Sequence, residues 1–72
     1  MYEKAKLILD KNSVSNLYNL KFVYKNYKFK IETINCLLIK IENNTATFLN
    51  ENRICTFDLH DEDITLYAKK SY

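Results

Sequence analysis

Four carboxylates lie within six residues, beside the only histidine of the chain. They are Asp58, Asp61, Glu62 and Asp63, and the histidine is His60. Grouped carboxylates can bind a divalent cation or act as an acid–base pair. Their spacing differs from that of an EF-hand loop, and the chain has no Gly for the sharp turn of such a loop. We therefore interpret the segment as a solvated turn whose acids cap a short helical turn, and we predict no metal there.

The two cysteines, Cys36 and Cys55, are the other residues that could bind a metal or act as nucleophiles. A zinc site built from them and His60 would need a carboxylate ligand, which is uncommon in structural sites. A disulfide-dependent domain of this size usually carries several bridges, so we expect these two cysteines to be reduced thiols. Strand alternation predicts the two thiols on opposite faces of a sheet, where they pack as small apolar side chains. No nucleophile stands at a recognisable spacing from His60, so we predict no catalytic residue and no cofactor.

Lysines alternate with aromatic residues between positions 21 and 30. The lysines are Lys21, Lys25, Lys28 and Lys30, and the rings are Phe22, Tyr24, Tyr27 and Phe29. Cations for phosphates and rings for bases are typical of a nucleic-acid groove, so this predicted hairpin gives one alternative function. Alternation, however, turns the rings toward the core and leaves the lysines outside. That pattern also fits a solvated face that protects an edge strand from aggregation.

The elements that position these residues are clearest in the centre of the chain. We predict a strand from Cys36 to Glu42, a return strand from Thr45 to Asn50, and two-residue loops at Asn43-Asn44 and Glu51-Asn52. In this register Ile41 opposes Ala46, Ile39 opposes Phe48, Leu38 opposes Leu49, Phe48 opposes Cys55, Ala46 opposes Phe57, and Leu49 opposes Ile54. The predicted core face carries Leu37, Ile39, Ile41, Ala46, Phe48, Cys55, Phe57 and Leu59.

The opposite face is polar except for a small apolar island of Leu38, Leu49 and Ile54. Two readings of the island stay open at this point. If the N-terminal segment covers the core face, the island is exposed and can bind a protein. If that segment covers the island instead, the island is a second small core. The acidic turn from Asp58 to Asp63 is the next candidate for a protein contact.

The flanking segments complete the predicted fold. Ala5, Ile8 and Leu9 have helical spacing, and Val14, Leu17 and Tyr18 behind a Ser13 cap suggest a short helix, so residues 1–18 form a helical or irregular addition. Residues 20–68 form an antiparallel sheet. An acidic turn followed by a short apolar strand is similar to the way SH3-like barrels close. We therefore predict a mainly β, single-domain chain, a small antiparallel meander that closes into an SH3-like or half-open barrel.

Composition limits the function further. With 72 residues and neither Gly nor Pro, the chain cannot contain a dinucleotide-binding fold or a Gly-rich phosphate loop. No apolar run approaches the length of a membrane span, and no signal peptide is apparent. The net charge of +2 is uneven: residues 1–40 carry eight lysines against three acids, whereas residues 41–72 carry six acids against three bases. Lys outnumbers Arg ten to one, and such codon usage is typical of an AT-rich genome.

Together these observations predict a non-enzymatic binding module that occupies a surface of a larger macromolecule. We expect a cytoplasmic protein, a monomer or weak homodimer, that contacts a protein rather than a membrane. The AT-rich coding bias and the small size suggest a phage or mobile-element accessory protein that inhibits a host enzyme or a defence nuclease. The alternative is a nucleic-acid-binding small β-barrel that uses the hairpin from Lys21 to Lys30.

Overall fold

The computed structural model describes residues 1–28 and 30–72, and Phe29, which was expected to face the core, lies outside the described residues. Its strands are β1 (Glu3–Lys4), β2 (Leu17–Tyr24), β3 (Lys30–Glu42), β4 (Thr45–Asn50), β5 (Arg53–Asp58) and β6 (Ile64–Lys70). One short helix, α1, covers Ala5–Ile8, and a 3-10 turn covers Lys11–Ser13. None of the helices among these residues is long and apolar enough to cross a membrane.

The two central hairpin loops are confirmed. Asn43 and Asn44 have φ values of 50° and 63°, and Glu51 and Asn52 have φ values of 48° and 67°. Two consecutive residues with positive φ form the type I′ turn, whose twist matches that of the flanking strands. Asn takes this conformation more readily than other residues with a Cβ, so it stands in for the missing Gly. Of these four residues only Glu51 is not an Asn, and a positive φ is unfavourable for its side chain.

The strands form one antiparallel sheet in the order β1-β6-β2-β3-β4-β5. The last strand returns to the start of the sheet, because β6 pairs with β2 from Ile64 to Lys70. The predicted closure into a barrel is wrong: within the described ranges, no strand pairs with β5 on the side away from β4. The sheet curls instead, so that Phe22 of β2 meets Phe57 of β5 with ring centroids 4.7 Å apart.

Two β-bulges in β3 decide which residues face the core. Leu38 pairs with Phe48 while Lys40 pairs with Thr47, so Ile39 is an extra residue without an opposite partner. A second irregularity lies before Cys36, where Asn35 has a φ of 56°. An extra residue reverses the alternation beyond it.

The bulge at Ile39 overturns part of the predicted register. Leu38, not Ile39, opposes Phe48, and Leu37, not Leu38, opposes Leu49. The pair of Ile41 with Ala46 and all three predicted pairs between β4 and β5 are confirmed. Leu38 is therefore in the core and fully buried, while Ile39 is 37% exposed. The predicted core positions of Leu37 and Ile39 are wrong, since Leu37 faces outward and Ile39 is partly exposed. Cys55 does lie on the inner face opposite Phe48, but it is exposed at the edge of the sheet rather than buried.

The N-terminal segment packs on the inner, concave face of the sheet. Ala5 and Leu9 are buried in one cluster with Tyr18, Leu38 and Ala68. The predicted helix over Val14, Leu17 and Tyr18 is wrong, because β2 already begins at Leu17.

Ser13 ends a 3-10 turn rather than starting a helix. Its hydroxyl accepts a hydrogen bond from Asp10 N at 3.2 Å, and Asp10 Oδ1 accepts one from Asn12 N at 2.8 Å. This reciprocal capping box satisfies backbone donors at the turn and holds the segment against the inner face. The outer face is therefore left open.

Candidate protein-binding surface

Four aliphatic side chains form a continuous row across the outer face of the sheet. Leu17 of β2 pairs with Leu37 of β3, Leu37 pairs with Leu49 of β4, and Leu49 pairs with Ile54 of β5. Neighbouring strands lie about 4.8 Å apart, so the row is about 14 Å long between its end strands. Leu17 is 38% exposed and Ile54 67% exposed, and the two middle members are half-buried. We call these four residues the outer row.

The outer row replaces the predicted island of Leu38, Leu49 and Ile54. Leu38 cannot contact a partner because it is fully buried on the inner face. The bulge at Ile39 puts Leu37 in its place. Leu17 was missed because its segment was assigned to a helix. The signal for it was present: Tyr18, Leu20 and Phe22 alternate with Leu17, Asn19 and Lys21, which indicates a strand starting at Leu17.

Hydrogen-bonded polar groups border the outer row along both sides. On one side, Thr47 and Thr56 share a hydrogen bond of 3.3 Å, and the neighbouring Lys40 forms an ion pair with Glu42 at 3.0 Å.

On the other side, Asn19 Oδ1 accepts hydrogen bonds from Asn35 N at 3.1 Å and from the Ser71 hydroxyl at 3.0 Å. An apolar centre with a polar border is the usual anatomy of a protein-binding surface.

The predicted lysine groove is not gathered into one cluster. Lys21 lies on the outer face with its Nζ 4.6 Å from the centroid of the Tyr2 ring and 5.5 Å from that of Tyr67. Lys69 also approaches the Tyr2 ring, at 4.8 Å. Such cation–π contacts occupy the ammonium group that a phosphate would need.

The other three lysines stand apart from Lys21. Lys25 and Lys28 are exposed in the connection between β2 and β3, and the exposed Lys30 opens β3. Tyr27, predicted to face the core, lies in this connection and is 64% exposed. Phe22 packs on the inner face against Phe57, and the partly buried Tyr24 lies on the same side and contacts the Tyr27 ring, with centroids 6.4 Å apart.

The acidic turn uses its carboxylates to bind its own backbone. Asp58 Oδ1 accepts a hydrogen bond from His60 N at 2.8 Å, and Asp61 Oδ1 accepts hydrogen bonds from Asp63 N and Ile64 N at 2.7 and 3.2 Å. Glu62 is exposed beside them. Among the residues that the structure describes, no three His, Cys, Asp or Glu side chains are grouped closely enough to bind a metal ion.

The two cysteines lie on the same face, contrary to the prediction. Both line an inner-face cavity of about 190 Å³, together with Phe22, Phe48 and Phe57. The bulge at Ile39 explains the error, because it turns Cys36 and Leu38 to the side of Phe48. Both thiols are free, with Cys36 buried and Cys55 exposed. Burial and, to a smaller extent, the neighbouring Cys55 raise the pKa of the Cys36 thiol above its ordinary value.

Comparisons of the chain with protein-family models, with curated proteins and with solved structures found no match.

Proposed function

We propose that this protein is a non-enzymatic binding module that docks on another protein through the outer row. The observation that carries the proposal is the uninterrupted pairing of four aliphatic residues across four strands, from Leu17 to Ile54, on the face that the N-terminal segment leaves open. Paired strands of one sheet present the row, so a partner does not have to fold these residues on binding.

The size of the expected effect follows from Ile54. Full burial of an Ile side chain contributes roughly 1.5–3 kcal/mol. Since Ile54 is 67% exposed, its removal from water by a partner is worth about two-thirds of that, or roughly 1–2 kcal/mol. This corresponds to a change in affinity of roughly 5- to 30-fold from a single residue.

For the biological setting we propose a cytoplasmic phage or mobile-element protein whose partner is a host enzyme or a defence nuclease. The AT-rich coding bias and the small size support this setting. For the fold we propose an SH3-like, half-open arrangement. The order β6-β2-β3-β4-β5 and the contact of Phe22 with Phe57 across the open side support it.

The test compares two charge substitutions of equally exposed isoleucines. Ile54→Asp, at 67% exposure, lies in the outer row, whereas Ile34→Asp, at 61% exposure, changes a residue outside the row. A photo-crosslinking amino acid at position 54 should link one discrete protein from cells that carry the gene. Quantitative capture of that protein should then fall at least tenfold with Ile54→Asp and change little with Ile34→Asp.

Circular dichroism and thermal unfolding of both variants show whether they remain folded. Equal capture by the two folded variants would remove the outer row as the binding surface. The nucleic-acid alternative is tested by Lys25→Glu with Lys28→Glu, which should leave activity intact under our proposal. If that double variant alone abolishes both activity and a gel shift on duplex DNA, the alternative is correct. The slope of log K against log salt would then be no steeper than about −3 to −4, since the segment from Lys21 to Lys30 supplies four lysines.

A further inference from the structure

Strand β5 is an open sheet edge without the usual protection. Within the described residues, no strand covers the side of β5 that faces away from β4. Native edges are normally blunted by Pro, Lys, bulges or shortness. β5 has six residues in unbroken register and contains neither Pro nor Lys. Its two charged residues, Arg53 and Asp58, lie at its ends, and its centre exposes Ile54, Cys55 and Thr56 in succession.

The other open edges of the sheet are protected. β1 has two residues. The first half of β3 carries Lys30 and Glu32, ends at the bulge at Asn35, and has its Ile34 carbonyl capped by Asn50 Nδ2 at 2.8 Å. The start of β6, residues 64–66, also has no described strand on the side of β1, but these residues are buried or partly buried. Among the edges that the structure describes, β5 is therefore the long edge whose central residues are exposed.

The hairpin geometry fixes which backbone groups of β5 point outward. Asn50 and Arg53 close the two-residue loop and form a hydrogen-bonded pair. Hydrogen-bonded and non-hydrogen-bonded pairs alternate along an antiparallel ladder, so Cys55 and Phe57 also bond to β4. The N–H and C=O groups of Ile54 and Thr56 therefore point to the open side, where they can bond to another strand.

The total surface is larger than expected for a monomer. A compact monomer of 8.6 kDa exposes about 4,700 Å², whereas this chain exposes 5289 Å², about 600 Å² more. The radius of gyration of 11.2 Å equals that expected for a compact chain of this length, about 11 Å, so the excess does not come from an elongated shape. An excess of about 600 Å² per copy is close to what each partner buries in a small protein–protein interface.

We propose that β5 is the interface between two copies of this chain, which pair their β5 strands antiparallel about a two-fold axis and so extend the sheet. In this arrangement Cys55 faces Cys55 of the second copy, and Ile54 of each copy exchanges hydrogen bonds with Thr56 of the other. This dimer does not depend on the proposed function, although it would place the two outer rows on one continuous face.

The register follows from the groups that remain available. Because only Ile54, Thr56 and Asp58 point outward, the strands can pair only through these alternate residues. Pairing Ile54 with Asp58 would put an aliphatic side chain opposite a carboxylate. It would also use the Asp58 carbonyl, which already accepts a hydrogen bond from Asp61 N at 3.2 Å. Pairing centred on Cys55 avoids both costs and uses Arg53 to Phe57 from each copy.

Charge also favours the antiparallel orientation over a parallel one. The acidic turn follows directly after β5, and its four carboxylates are exposed. Two-fold antiparallel pairing places the acidic turns of the two copies at opposite ends of the interface. The turn of each copy then lies toward the Arg53 end of β5 in the other copy. A parallel pairing would bring both turns together and set like charges side by side.

Sedimentation over a hundredfold range of concentration up to about 1 mM tests the dimer. The mass should rise from 8.6 kDa toward twice that value. Thr56→Pro removes an outward donor without removing a backbone hydrogen bond to β4, and Thr56→Lys adds edge protection while keeping the donor. Both variants also remove the hydroxyl hydrogen bond between Thr56 and Thr47 of β4, so Thr47→Val, which removes that bond alone, is the control. Both variants should shift the dimerisation midpoint at least tenfold upward while remaining folded.

Oxidative crosslinking tests the register. Diamide takes up two protons and two electrons as the two Cys55 thiols form one disulfide between copies. The linked dimer should form in the wild type and in Cys36→Ser, and be absent in Cys55→Ser. A mass that stays at 8.6 kDa throughout, or dimerisation unchanged in both Thr56 variants, overturns the interface. A dimer that diamide does not link through Cys55 overturns the proposed pairing.

Discussion

Three consecutive residues of β3 test the bulge that defines the outer row. Leu38 is fully buried, so Leu38→Ala leaves a cavity and should lower the free energy of unfolding by roughly 3–5 kcal/mol. Leu37 is partly buried at the open face, where Leu37→Ala removes roughly two-thirds of the transfer free energy of three carbons, about 1.6 kcal/mol, and leaves no closed cavity. Ile39→Ala, at a residue 37% exposed, should cost a similar amount, about 1.5 kcal/mol.

The difference is large compared with the stability of the whole chain. A protein of 72 residues has a free energy of unfolding of roughly 4–11 kcal/mol. Urea unfolding, followed by the fluorescence of the six tyrosines and by circular dichroism, should therefore place the Leu38→Ala midpoint far below the other two. In thermal unfolding each kcal/mol lowers the Tm by about 4–8 °C, so Leu38→Ala should melt at least about 5 °C below Leu37→Ala.

A regular strand without the bulge makes the opposite prediction. In that register Ile39 faces Phe48 and Leu38 faces solvent, so Ile39→Ala would be the most destabilising of the three changes. If Ile39→Ala costs more than Leu38→Ala, or if Leu37→Ala costs as much, the bulge and the outer row derived from it are wrong. Equal slopes of the urea transitions are needed for this comparison, because a changed slope reports a changed denatured state.

Four further predictions concern the turns and the thiols. Glu51→Gly should raise the free energy of unfolding by about 0.5–1 kcal/mol, which a higher urea midpoint would show. Glu51 has a φ of 48°, and Gly adopts this angle without a steric clash of Cβ. Asp61→Ala should lower the free energy of unfolding by about 1–2 kcal/mol, since the carboxylate accepts two backbone hydrogen bonds. Glu62→Ala should change it by less than about 0.5 kcal/mol. Equal urea midpoints for the two variants would show that the Asp61 carboxylate does not stabilise the acidic turn. Ellman's reagent should modify Cys55 quickly and Cys36 only on unfolding, and two fast thiols in the native protein would contradict the burial of Cys36. Burial raises the pKa of the Cys36 thiol above 9.0, so the native state holds this proton more tightly than the unfolded chain does. The contribution of the protonated thiol to the free energy of unfolding is therefore complete below pH 9. It is lost as the pH rises through the higher pKa of the native state.

The outer row and the edge of β5 meet at Ile54, whose side chain belongs to the row and whose backbone belongs to the edge. The two proposals can still be separated. A charge at position 54 changes the side chain that a protein partner would contact, whereas Thr56→Pro changes an edge donor outside the row. Loss of the partner with an intact dimer would identify the row, and loss of the dimer with an intact partner would identify the edge.

The hairpins of the central meander were predictable because their signals are local. Asn43-Asn44 and Asn52 supply the positive φ values of type I′ turns, and a two-residue loop fixes the pairing of the residues next to it. This is why every predicted pair between β4 and β5 is correct, including Leu49 with Ile54. The acidic turn belongs to the same class, since Asp side chains bond to the backbone two residues ahead whatever the rest of the fold does.

What lies beyond one hairpin was decided by the tertiary structure. β3 pairs with β2 in its first half and with β4 in its second, and it must bend between them as the sheet curls. Bulges at Asn35 and Ile39 allow this bend, and no local sequence signal marks them, because Leu37, Leu38 and Ile39 are equally apolar. Each extra residue exchanges the two faces of the strand. The sequence by itself therefore determined the strands, the turns and the presence of an apolar outer patch, while only the packing of β2, β3 and β4 decided that Leu37 belongs to the patch and Leu38 to the core.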